Sequence, residues 1–275
     1  MIDLHTHILP GIDDGAKSLE LSLEMARIAV ADGTTVMACT PHIYPGLYMN
    51  DGAGIRRARD KLQMALDAKQ IALKLVVGAD AHLVPELLDG LKSGRVPTLN
   101  GSRYFLLEPS HHVQPPRFED SVFEIMAAGY VPVITHPERL TWIEEHYEQF
   151  LTLAGRGAWL QLTAGALVGK FGKRARYWSE RLLGDGVIQL VASDAHTASV
   201  RSPRMSDALP LLEKAVGAEE TQRLVLGRPQ AILDDVDPVA VTPPPGLGAR
   251  AAEPKAGAGG VLGLLRRLGT RRRPG

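Results

Sequence analysis

Nine histidines stand against a single cysteine in this chain. Many of them lie beside carboxylates in short runs: His5-Thr6-His7, Asp13-Asp14-Gly15, Thr40-Pro41-His42, Ala79-Asp80, Glu108-Pro109, His136-Pro137-Glu138-Arg139 and Ser193-Asp194-Ala195-His196. Imidazole and carboxylate without thiolate form a donor set for Mn²⁺, Fe or Zn²⁺ rather than for a cysteine-built structural zinc. On a strand the two histidines of His-x-His point to the same face, about 6.6–7 Å apart, so they can grip one ion together. His5, His7, Asp14, His42, Asp80, Glu108, His136, Asp194 and His196 are more ligands than one ion needs. Two or three ions sharing a bridging carboxylate are expected.

Such residues work together only if the chain gathers them, and the pattern between them says how. Short apolar, β-branched runs occur at Ile2–Leu4, Thr34–Thr40, Ala72–Gly78, Tyr104–Leu107, Val131–Thr135, Trp159–Thr163 and Val187–Ala192. Helical periodicity fills Leu19–Asp32, Ile55–Gln70, Phe118–Ala128 and Arg174–Leu183, with Leu19, Leu23, Ala26 and Val30 as the apolar stripe of the first. Glycines at 33, 129 and 186 sit where a helix ends. Seven strand-then-helix repeats with continuous apolar strands predict a parallel sheet covered on both faces. Closure into a barrel suits the length, and barrel strands converge their C-terminal ends on one face. Six of the seven predicted strands end in a metal-type residue; only the sixth, ending Gln161-Leu162-Thr163, does not.

Each of these residues alone also has an ordinary reading. His42 could pack or cap, Asp13-Asp14-Gly15 could be a turn, Glu108 a loop acid and Arg201 a solvated charge. The joint pattern favours a metal site. His82, His111, His112 and His146 fall outside the predicted strand ends and read as loop or helix residues, with His111-His112 candidates to touch substrate. Trp142, Trp159 and Trp178 read as core or rim.

Composition narrows the alternatives. Lys+Arg and Asp+Glu both number 31. Residues 242–275 hold seven bases and one acid, a charge of +6, so residues 1–241 carry −6. The tail also contains eight Gly and five Pro, too little apolar material to offset the entropy of ordering it. A barrel of residues 1–241 followed by a disordered basic tail, 242–275, is expected. An acidic body argues against nucleic acid. No apolar run is long enough to span a membrane, and the start Met1-Ile2-Asp3-Leu4-His5 shows none of the basic segment, apolar stretch or small-residue cleavage site expected of a signal peptide. A lone cysteine forms no internal disulfide, so a cytoplasmic, soluble protein is expected. The tail's Val261–Leu265 and its arginines could touch an anionic membrane. No Gly-x-Gly-x-x-Gly or phosphate-cradling Gly-Lys-Ser/Thr loop is present. Cys39 is followed six positions later by Pro45, not Arg, which removes the cysteine-phosphatase motif.

The runs His5-Thr-His7, Gly11-Ile-Asp-Asp-Gly15, Thr40-Pro-His42, His136-Pro-Glu-Arg139 and Ser193-Asp-Ala-His196, in this order and spacing, resemble the PHP (polymerase and histidinol phosphatase) superfamily. Within it the chain is similar, from Met1 to about Asp235, to the manganese-dependent tyrosine phosphatases of capsular and exopolysaccharide biosynthesis, the CpsB/YwqE type. That resemblance implies a distorted, TIM-like (β/α)₇ barrel and a three-metal site: His5, His7 and Asp194 at the first ion, Glu108 and His136 at the second, Asp14, His42 and His196 at the third. The bridging position is usually Glu in this family; here it is Asp80. It further implies Mn²⁺ as cofactor, with Fe or Zn²⁺ as alternatives, and in-line attack on phosphorus by metal-activated hydroxide. Arg139 and Arg201 would hold phosphate, and His42 or His196 would assist the leaving group. The implied substrate is phosphotyrosine on a protein, the tyrosine kinase that regulates polysaccharide assembly. Two other readings share the ligand set: a small-molecule phosphomonoesterase of the histidinol-phosphatase type, and a catalytically weak, metal-bound regulator that docks on the kinase.

Overall fold

The computed structural model describes residues 1–252, with side chains as far as Gly248. Ten short strands form the sheet: β1 Ile2–Asp3, β2 Val36–Cys39, β3 His42–Tyr44, β4 Tyr48–Met49, β5 Lys74–Val77, β6 Asp80–His82, β7 Tyr104–Glu108, β8 Val131–Thr135, β9 Trp159–Thr163 and β10 Leu190–Ala192. The helices Leu19–Ala31, Gly52–Ala68, Phe118–Ala127 and Gly172–Gly184 fall where the periodicity put them. Ser18 and Asp51 open the first two by accepting hydrogen bonds from Leu21 and Gly54 backbone N–H groups.

The strands pair as β1-β2-β5 and as β10-β9-β8-β7-β6-β3-β4, parallel throughout except for the β3–β4 hairpin. Two of the seven expected strands, Thr34–Thr40 and Ala72–Gly78, are each followed by a further short strand, β3 after a break at Thr40-Pro41 and β6 after one at Gly78-Ala79. Pro41 has no N–H to give a ladder. A Cβ on Gly78 would lie 2.8 Å from Leu99 and 2.9 Å from Thr40 side-chain carbons, so glycine permits the close crossing there. The seventh segment meets the first through a Thr6–Ala195 bridge, where His7 N–H donates to Ala195 and Asp194 N–H to His5. Each segment is thus hydrogen-bonded to the next around the α/β fold.

Strand alternation divides the apolar residues into two clusters. Phe105, Leu107, Ile134, Leu160 and Leu162 pack with helix residues such as Met25, Leu62, Phe118, Phe150 and Leu182. Tyr104, Leu106, Val131, Val133, Trp159, Leu190 and Ala192 form a separate cluster. This second row continues, two residues at a time, into Glu108, Thr135, Gln161, Thr163 and Asp194, so it delivers polar groups at the strand ends. Trp142, Trp159 and Trp178 are buried, as the core-or-rim reading expected.

The described fold continues past residue 241. Residues Pro245–Ala252 are helical, Gly246 N–H donates to the Gly186 carbonyl at 3.0 Å, and Leu247 packs against the larger cluster. The contact requires glycine, because a Cβ at position 246 would be 2.0 Å from the Asp185 carbonyl oxygen. The rest of the expected tail, residues 253–275, lies outside the described residues. Among the described residues, no helix is long and apolar enough to cross a membrane.

Candidate metal centre

His5 and His7 show how the site is built. Their Nε2 atoms face each other at 3.2 Å. His5 Nδ1 lies 2.9 Å from Gln161 Oε1, and His7 Nδ1 lies 2.7 Å from Asp13 Oδ2. Both partners are acceptors, so each Nδ1 carries the proton and each Nε2 offers a lone pair to the same point. Asp80 Oδ2 stands 3.3 Å from His5 Nε2, and Asp194 Oδ1 stands 3.5 Å from both Nε2 atoms. Two donors about 2.1 Å from one ion, at tetrahedral or octahedral angles, are ~3.0–3.4 Å apart. The spacing fits donors around a shared cation.

A second group repeats this geometry. Asp14 Oδ1 lies 3.4 Å from His42 Nε2 and 3.3 Å from His196 Nε2. A third centres on Glu108, whose Oε1 is 3.6 Å from His136 Nε2 and 3.1 Å from His111 Nε2. Both oxygens of Asp80 and Oε2 of Glu108 are buried without a hydrogen-bond partner. Buried carboxylates left this way need a cation. The histidines respond to the same field. Burial opposes protonation of His5, but Asp80 and Asp194 beside it prevail and push its pKa up to about 9. Burial likewise opposes a proton on His42, and Glu108, Asp80 and Asp14 push its pKa up to about 10. His196, desolvated and next to His7, is pushed down to about 4.

All nine expected ligands thus converge, and the two expected arginines join them. Asp194 divides its oxygens: Oδ1 faces the histidines, while Oδ2 accepts from Arg139 Nη1 and, at 2.7 Å, from Arg201 Nη2. Burial would raise the Asp194 carboxyl, but His5, Arg139 and Arg201 hold it well below the usual carboxylate range. Both guanidiniums lie over the ring of Phe171, at 4.4 Å and 5.7 Å from its centroid. Asp14, His42, Glu108, His136, Arg139, Asp194, His196 and Arg201 line one cavity of about 260 Å³, with Tyr44, Leu47 and Tyr48 on its rim.

The backbone is bent to aim two of the ligands. His136 and Asp194 have φ of 36° and 51°, a region non-glycine residues seldom adopt. Gly15 serves the same end by absence of a side chain, since a Cβ there would be 2.1 Å from the His7 carbonyl oxygen. That contact lets Ala16 N–H donate to His7 and holds the Asp13-Asp14 turn against the histidines.

Four residues were read differently from the sequence. His82 is not a loop residue: it ends β6, its ring stacks on Tyr44 at 3.9 Å, and its Nε2 touches Glu108 Oε2. Its alternation with Asp80 was the available signal, hidden because the break at Gly78 made Asp80 look like the end of a strand. His111 faces Glu108 and His136, whereas His112 is exposed. Gln161 and Asp13 orient His5 and His7, roles that nothing in their local sequence marks. Cys39 is buried in the larger apolar cluster, as expected, and burial pushes its thiol up.

The family described as capsular polysaccharide synthesis, CpsB/CapC, matches residues 1–234. The chain belongs to the CpsB/CapC family. Tyrosine-protein phosphatase YwqE of Bacillus subtilis is 40% identical over 221 residues, 80% of this chain and 86% of that protein. Tyrosine-protein phosphatase CpsB of Streptococcus pneumoniae is 32% identical over 246 residues, 86% of this chain and 99% of that protein. A solved structure from the work on YwqE and CpsB, described as unique metal-dependent tyrosine phosphatases, superposes with a TM-score of 0.84 at 36% identity. It covers 89% of this chain and 98% of the solved one. This CpsB/CapC member therefore shares its fold, and nearly its full described length, with metal-dependent relatives.

Proposed function

We propose that this protein is a metal-dependent phosphatase that hydrolyses phosphotyrosine on protein. The observation that carries the reading is the convergence of imidazole–carboxylate groups and two guanidiniums on one open cavity, with His5, His7 and Asp80 buried beneath it. In this reading His5, His7, Asp80 and Asp194 hold one ion, Glu108 and His136 a second, and Asp14, His42 and His196 a third. When bound, such ions supply activation of water and neutralisation of phosphoryl charge. Mn²⁺ suits the donor set, hard carboxylate oxygens mixed with imidazole, and accords with the metal-dependent relatives.

The chain's own groups divide the remaining work. Arg139 and Arg201, steered by Phe171 and Asp194, present planar forks that pair two phosphoryl oxygens at once. Gln161 and Asp13 keep protons off the ligand nitrogens of His5 and His7. His196, held near a pKa of about 4, is neutral at physiological pH and is a lone-pair donor rather than a proton source. A phenolate leaving group has a pKa near 10, so weak acid assistance suffices. Tyr44 and Leu47, exposed on the β3–β4 side of the cavity, give a phenyl ring an apolar wall. A tyrosine-phosphorylated kinase involved in polysaccharide assembly fits this shallow mouth and the family's name. The catalytic body is the barrel, residues 1–241 and its extension to Gly248.

The deciding assay measures phosphate release from a phosphotyrosine peptide and from histidinol phosphate, with EDTA and with added Mn²⁺. Hydrolysis of the peptide that EDTA abolishes and Mn²⁺ restores is expected. Preference for histidinol phosphate, or activity indifferent to EDTA, would overturn the reading.

A further inference from the structure

Glu108 is surrounded by four imidazoles, and its two oxygens meet different chemistry. Oε2 lies 3.2 Å from His42 Nδ1 and touches His82 Nε2. His42 turns its other nitrogen, Nε2, toward Asp14, and its Nδ1 faces Oε2 without a hydrogen bond between them. His82, fixed by its stack on Tyr44, approaches Oε2 from the other side. That leaves Oε1 directed at His111 and His136, whose rings are 4.8 Å apart. Of the two separations from Oε1, 3.1 Å to His111 Nε2 lies within the ~3.0–3.4 Å expected of donors on one ion, and 3.6 Å to His136 Nε2 lies just above it.

The loop that carries His111 is tied down. Thr141 donates to the His111 carbonyl from its backbone N–H at 2.9 Å and its hydroxyl at 3.1 Å, and Trp142 Nε1 donates to the Ser110 carbonyl at 2.8 Å. His111 is thus held at the cavity edge rather than swinging in solvent. Asp80 groups with His5 and His7, while Glu108 groups with His111 and His136 through one oxygen and with His42 and His82 through the other.

We propose that His111 is a ligand of the cation at Glu108 and His136, filling the coordination place that the short arm of Asp80 does not reach. This rests on the metal-dependent reading above. His82 has a different part: it is a positioning residue that holds Oε2 so that Oε1 faces the ion.

The test is Mn²⁺ binding by the full chain, followed by the electron paramagnetic resonance of free Mn²⁺ and by calorimetry. His111→Ala should weaken one class of site by roughly ten- to hundredfold or more, the scale of losing a group that fixes a metal. His112→Ala, whose exposed ring lies 6.3 Å from that of His111, should leave the isotherm unchanged. Asp80→Glu in the His111→Ala background, one methylene longer, should restore the weakened class. His111→Glu, which keeps a donor on the same loop, should retain it and guards against loss of fold in the alanine variant. An unaltered Mn²⁺ isotherm in folded His111→Ala overturns the ligand assignment, and failure of Asp80→Glu to rescue overturns the compensation. If the wild-type chain takes up no Mn²⁺ at all, it is the metal-dependent reading that fails.

Discussion

Gln161 is the sharpest place to test how the centre is organised, because its side chain hydrogen-bonds a single candidate ligand, His5, and carries no charge. Its Oε1 accepts from His5 Nδ1 at 2.9 Å in a fully buried setting, and its own Nε2 has no partner. Gln161→Leu keeps the volume and removes the acceptor. His5 then either buries an unsatisfied N–H, costing about 1–3 kcal/mol, or moves its proton to Nε2. The second outcome places an N–H 3.2 Å from His7 Nε2, where an ion would sit. Either route lowers affinity at the His5–His7 position, and the usual loss for such an orienting partner is roughly ten- to hundredfold. Competition between the protein and a chelating dye for Mn²⁺ measures the loss directly. Turnover at saturating Mn²⁺ should stay near wild type, because Arg139, Arg201 and the ligands themselves are intact. Gln161→Glu, which still accepts and makes the imidazole more basic, should bind Mn²⁺ at least as well as wild type. Equal Mn²⁺ affinity in Gln161→Leu would refute the orienting role; activity lost even at saturating Mn²⁺ would mean that the side chain does something else.

Arg201→Ala should lower kcat/KM for a phosphotyrosine peptide about 10- to 100-fold, the scale of one charge-assisted hydrogen bond, without weakening Mn²⁺ binding, because it releases Oδ2 and the backbone carbonyl of Asp194 but not the Oδ1 that faces the histidines; weaker Mn²⁺ binding with unchanged kcat/KM would contradict this. Gly15→Ala should disrupt the centre, since its Cβ would stand 2.1 Å from the His7 carbonyl; a wild-type Mn²⁺ isotherm would show that the turn can move aside. Glu138 supplies a pH test. Burial raises its carboxyl to about 7, against the opposing hydrogen bond from Thr163 N–H. The folded state therefore holds its proton more tightly than the unfolded one, so this contribution to stability is complete below about pH 4.5 and is lost as pH rises through about 7, on the order of 3 kcal/mol in all. Thermal melts from pH 5 to 8 should fall more steeply for wild type than for Glu138→Gln, and parallel curves would remove Glu138 as the source.

What the sequence disclosed and what it hid follow from how each residue is fixed. His5 and His7, His136, Asp194 and His196 stand just after short apolar runs, so strand period and parallel topology together place them on one face. Their convergence required no knowledge of the distances. Asp80 was legible by type, but its strand was not: the break at Gly78-Ala79 depends on the crossing of Leu99 and Thr40 side chains, which no local pattern reveals. His82 was lost with it, because a residue two beyond a supposed strand end reads as loop. His111 lay hidden for another reason. Its position is set by hydrogen bonds from Thr141, thirty residues away, and such long-range ties leave no periodic trace.

Gln161 marks the same boundary from the other side. The sixth strand looked like the one without chemistry because Gln161 is neither acid nor imidazole, yet it occupies the inward row that Glu108 and Asp194 occupy on their own strands. The row is what the sequence specifies; the role at each place in the row depends on the neighbour on the adjoining segments. Glu108 faces histidines from three other segments, so it reads as a ligand. Gln161 faces only the proton-bearing nitrogen of His5, so its work is to fix a tautomer. A neutral acceptor does that work without adding a further buried negative charge beside Asp80 and Asp194, which would itself have to be compensated in the folded protein. The absence of an ionisable residue at the end of this strand is therefore consistent with the charge balance of the centre, not an exception to its pattern.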